Sequence, residues 1–230
     1  MLNITIGSLI FITYYFDINI MSKYGLGLVS IISLTSRTLV DYYNNTFARV
    51  FFSEACEKKA ANDFYNAEKK MLKAISLFTD SKFKAMGFHN LGNWNLKSNK
   101  IASQNYYEKA IAFDPDNYKP YVGIGWLFMT LNKLDEAIKY TSLSIKLINK
   151  SKIDIETKNK DLGNVMVNMA LIYHKQFISG DKVWKDLAEY YYIQSIHFNV
   201  EIELMTECLE LLHNGDDIKF INIYNNIIDI

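Results

Sequence analysis

The chain has 230 residues and no net charge, with half of its residues hydrophobic and 22% charged. That balance excludes intrinsic disorder and lacks the basic excess expected of a nucleic-acid binder. Two prolines and ten glycines are too few to turn an all-β chain at every short strand, but they suit long helices.

Residues 2–20 (LNITIGSLIFITYYFDINI) carry a single charge, Asp17, and about twenty such residues are enough to cross a bilayer as a helix. A second uncharged run, residues 24–36, reaches span length only if it extends past Arg37 towards Tyr43. Residues 1–43 are therefore expected to form an apolar N-terminal segment of one or two helices, a membrane anchor through residues 2–20. The region before the apolar run has no Lys or Arg, unlike a cleaved signal peptide. A buried core helix is the competing reading. Arg37 and Arg49 follow the apolar runs while Lys23 alone lies between them, which favours a cytosolic C-terminal part; a soluble cytoplasmic protein is the alternative.

From residue 48 onward, apolar residues recur at i, i+3, i+4 and i+7 in paired segments separated by short polar turns. In residues 118–151 the marks are Tyr121, Ile124, Gly125 and Phe128 on a first helix, then Ala137, Thr141 and Ser144 on a second. Small residues, Gly125 and Ala137, are expected where the two helices cross, and residues 131–134 form the turn. Asp135 and Glu136 place acids at the positive end of the second helix. Residues 85–117 repeat the pattern with Phe88, Leu91 and Gly92, then Ser103, Tyr107, Ala110 and Pro115. Weaker units occupy 48–81 (Phe51, Ala55, Phe64, Ala67, Met71, Ala74) and 163–199 (Met166, Met169, Ala170, Tyr173, Ala188, Tyr192, Ser195). The eleven extra residues between Asn149 and Gly163 are expected to lengthen a helix. Residues 200–230, with seven acids against the single base Lys219 from position 201 onward, are expected as C-terminal capping helices.

These marks resemble the 34-residue tetratricopeptide repeat (TPR). The resemblance implies an all-α, right-handed solenoid of antiparallel helix pairs over residues 46–199, preceded by the N-terminal hydrophobic helix. It also implies a concave groove for a protein or peptide partner, built from Met86, His89, Asn93 and Leu96 in one unit. Lys119, Val122, Trp126 and Met129 follow in the next, then Asn164, Val167, Leu171 and His174. Of the family's carboxylate clamp, only Asn90 with Lys119, or Asn93 alone, is present. The many apolar groove positions suit an amphipathic helix or an extended apolar peptide. They suit a closed core equally well if the tail helices fold back over them.

His89, His174, His197 and His213 have no metal-binding or paired-carboxylate company, and no phosphate-loop or nucleophile motif is present. Cys56 and Cys208 are far apart, without metal-ligand spacing, and are expected as free thiols. The resulting expectation is a membrane-tethered adaptor or scaffold with no enzymatic activity, cofactor, metal or nucleic-acid partner. Two alternatives are open. Apolar helices followed by such repeats are similar in layout to the tail of O-antigen ligase or polymerase-type membrane glycosyltransferases, which would make this a non-catalytic tail. The other is a secretion chaperone.

Overall fold

The computed structural model describes residues 26–180 and 183–229; the expected anchor at residues 2–20 lies outside them. Among the described residues the chain is all-α, with ten helices and no strand. It divides into two compact units, residues 1–80 and 81–230.

The first unit is a hairpin of α1 (Leu26–Ala60) and α2 (Phe64–Leu77). Asn62 turns the chain at φ 60°, a left-handed conformation that Asn tolerates better than most residues. Asp63 then caps α2 by accepting the Asn66 N–H, satisfying one of the donors left open at a helix start. The two helices run antiparallel: Glu54 meets Lys70, and further back along α1 Asn45 bonds Thr79. Ala48, Ala55, Ala67, Met71 and Ala74 are fully buried, so small side chains let the two backbones approach. The boundary expected near residue 43 is not a break, because α1 runs unbroken from Leu26 to Ala60. Residues 26–36 belong to this helix, which also carries Arg37 and Asp41. No helix among the described residues is long and apolar enough to cross a membrane.

The second unit holds α3 (Ser81–Asn95), α4 (Lys100–Phe113), α5 (Tyr118–Thr130), α6 (Leu134–Lys150), α7 (Ile155–Ile178), α8 (Trp184–His197), α9 (Ile202–Asn214) and α10 (Asp217–Asp229). Asn99, Asn117 and Asp154 cap α4, α5 and α7 by accepting backbone N–H groups. Asn132 makes the α5–α6 turn at φ 55°. The residues ahead of Gly163 extend α7, which is 24 residues long.

Consecutive helices pack as hairpins, α3 with α4, α5 with α6 and α7 with α8. The first helices also touch one another, α3 with α5 and α5 with α7, so one face is shared by α3, α5 and α7. Close approach is written into three glycines. A Cβ on Gly92 or Gly123 would stand 2.6 or 2.5 Å from the Tyr107 ring, and one on Gly125 would stand 2.5 Å from Thr141 Oγ1. Tyr107 is thus held between two helix backbones and is fully buried. Gly125 meets α6 at Thr141 and at the Ala137 carbonyl, the crossing that the small residues anticipate.

One core runs through α4 to α10, from Tyr107 and Phe128 through Leu171 and Tyr192 to Phe220 and Tyr224. Each large apolar side chain fully buried there contributes about 1.5–3 kcal/mol against its exposed state. The tail helix α10 folds back onto α5 and α7. Its Phe220 stacks on His174 at 3.6 Å between ring centres, and its Tyr224 hydroxyl donates to the Met129 carbonyl at 3.3 Å.

Candidate functional site

The face shared by α3, α5 and α7 is divided in two. Where α10 lies against it, Met129 and Leu171 are 1% and 0% exposed, and Val167 and His174 are buried as well. These four expected groove positions are core. Their burial has a physical cause: α10 covers Met129, Phe220 covers His174, and an amphipathic tail gains more by burying its apolar side than by leaving it in water.

The other half of the face is an open cleft of about 410 Å³. It is lined by His89 and Asn93 of α3, by Leu96 just after it, and by Lys119, Val122 and Trp126 of α5, with Asn164 entering from α7. All of these are positions that the repeat spacing picks out. Tyr107, Tyr118, Gly123, Asp161, Val165 and Asn168 complete the lining. Met86 is exposed and is not part of it.

Apolar surface comes from Val122, Leu96 and the half-buried Trp126, which also packs against the core. Polar groups come in a connected chain. The Tyr107 hydroxyl donates to Asn93 Oδ1 at 2.6 Å, which leaves Asn93 Nδ2 to donate to His89 Nε2 at 3.1 Å. Burial, and secondarily the nearby Lys119 charge, hold His89 down at about 4, so the ring is neutral at pH 7. With Nε2 accepting, the ring proton sits on Nδ1. That atom is buried and has no partner.

On the opposite wall, the Tyr118 hydroxyl donates to the Asp161 carboxylate in a short hydrogen bond. Burial, then Asp161, push that phenol well above its ordinary value. Asn168 is 8% exposed and lines the cleft. Lys119 is exposed at the rim. A cleft of this makeup combines apolar area with a few polar groups, the arrangement expected of a binding site. Among the described residues no cluster of His, Cys, Asp and Glu could hold a metal ion.

Sequence reasoning missed Tyr107, Tyr118, Gly123, Asp161, Val165 and Asn168 as lining residues. Tyr107 reads as a packing residue of a second helix, and Asp161 falls in the stretch that lengthens α7. Asn168 carried a usable signal: a lone amide inside the apolar run 165–173, one helical turn after Asn164. The two cysteines are unpaired, Cys56 exposed and Cys208 buried. No protein-family model matches the chain, and no curated protein matches it.

Proposed function

We propose that this chain is a TPR-type adaptor or scaffold, without catalytic activity, that holds a segment of a partner protein in the cleft between α3, α5 and α7, and that residues 2–20 tether it to a membrane. The repeat reading is supported by burial of the same slots in successive hairpins: Leu91, Gly92, Ser103 and Tyr107, then Ile124, Gly125, Ala137 and Thr141. The tether reading rests on composition, a stretch of nineteen residues with one charge.

The observation that carries the binding reading is the makeup of the cleft, where His89, whose buried Nδ1 has no partner, Asn168, Lys119 and Asn164 line one opening together with Val122 and Trp126. Apolar area with a small number of polar groups around it is the usual makeup of a binding cleft. An extended peptide fits better than a helix, because a helix has already satisfied its own backbone donors and acceptors.

Selecting a random peptide library displayed on phage against the full chain tests this. Enriched peptides should lose about 2 kcal/mol or more of affinity on Trp126→Ala and a smaller amount on Asn168→Leu, with helicity retained. Enriched peptides that bind both variants as tightly as the wild type would place binding elsewhere. No enrichment at all would count against a peptide site.

A further inference from the structure

One side of α1, over residues 39–50, is apolar and exposed. Leu39, Val40, Tyr43, Phe47 and Val50 are 51, 56, 58, 49 and 49% exposed. At 100° per residue they fall within an arc of about 100°, the stripe of an amphipathic helix. The other side of the same helix carries the packing, with Ala48 and Ala55 fully buried and Phe52 set edge-on to Phe78.

Beside the stripe lies a basic hollow. Phe51, one turn beyond Phe47, lines it together with Lys69, Lys70 and Lys73 of α2. Lys70 is held by Glu54 at 2.5 Å and sits 5.0 Å from the Phe51 ring centre. Lys69 and Lys73 are exposed and pair with no carboxylate among the described residues.

We propose that α1 lies along the surface of an anionic lipid bilayer, its stripe in the headgroup region and Lys69 and Lys73 against lipid phosphates. Three features favour a membrane over a protein as the occupant. Aromatic and aliphatic residues at one level of a helix with lysines alongside are the makeup of an interfacial helix. The two unpaired lysines complement anionic headgroups, each contributing on the order of 1 kcal/mol near such a surface. Residues 26–36, which carry no charge, also belong to this same helix ahead of Arg37, so an uncharged stretch and the stripe are continuous in one element. The inference rests on the tether reading, since residues 2–20 bring α1 to the bilayer.

The test uses the full chain with Cys56→Ser; the buried Cys208 is shielded from labelling. An environment-sensitive fluorophore is attached at Phe47→Cys, or at Glu136→Cys as an exposed control. Each protein is mixed with phosphatidylcholine vesicles, or with equal parts of phosphatidylcholine and phosphatidylglycerol. The expected result is flotation with vesicles, a blue shift at position 47 on the anionic vesicles, and none at position 136. Lys69→Glu with Lys73→Glu should weaken the position-47 response roughly tenfold or more with helicity unchanged. Flotation with position 47 still in an aqueous environment overturns the surface placement and leaves the tether standing. No flotation overturns both. A probe at position 47 that is already shielded without vesicles shows the stripe covered by protein, and also overturns the proposal.

Discussion

Acid should destabilise this protein well above the pH at which carboxylates titrate, and His174 is one of two residues responsible. Its ring is fully buried, stacked on Phe220 at 3.6 Å, and bonded through Nδ1 to the Tyr192 hydroxyl at 2.8 Å. Nε2 has no partner, and burial holds the ring down at about 3. An unfolded histidine titrates near about 6.5, so between these values only the unfolded chain takes up the proton. The stabilisation is complete above about pH 6.5 and is lost as pH falls towards the folded value. At pH 5 the loss is about 2 kcal/mol for His174, and about the same again for His89, held at about 4. Together, about 4 kcal/mol is a large share of a typical stability of about 5–15 kcal/mol. The lowered carboxyls of Asp154, bonded by Thr157, and Asp63, bonded by Asn66, lose their contribution only at lower pH. Urea unfolding followed by tryptophan fluorescence from pH 7 to 4.5 measures the slope. His174→Phe keeps an aromatic ring against Phe220 and cannot titrate. It should lose up to about 1 kcal/mol at pH 7, because the Tyr192 hydroxyl gives up its bond to the ring and keeps only Cys208. Between pH 7 and pH 5 it should lose about 2 kcal/mol less than the wild type. The same pH slope in both proteins would refute the argument.

Gly123→Ala drives a Cβ to 2.5 Å from the Tyr107 ring and should cost about 1–3 kcal/mol in urea unfolding; an unchanged midpoint would mean that the ring is free to move. Thr141 Oγ1 is buried without a partner beside Gly125, so Thr141→Val should be neutral or stabilising by up to about 1 kcal/mol. A clear loss of stability would reveal a hydrogen bond there. Tyr224→Ala removes a ring that is 2% exposed and should cost about 3–5 kcal/mol. Hydrogen exchange should then rise along α10 and at Met129. If exchange at Met129 stays as slow as in the wild type, α10 is not what shields it.

The helices and their pairing were legible in the sequence because both depend on short-range pattern. Apolar residues at i, i+3 and i+4 mark a helix's buried side, and a turn such as residues 131–134 closes with Asn132 in a conformation that few other residues adopt. Positions facing the first-helix row were legible too, which is why His89, Asn93, Lys119, Val122, Trp126 and Asn164 meet in one cleft. Periodicity says which side of a helix turns inward, but not what arrives to cover the rest. Met129, Val167 and Leu171 became core while Trp126 stayed at an open edge, because α10 returns across the chain to place Tyr224 against Met129. The clamp of Gly92 and Gly123 on Tyr107 and the bond from Tyr118 to Asp161 are of the same kind. Each joins residues from different helices, and such contacts are decided by long-range packing of whole helices, where local pattern carries no information about the partner.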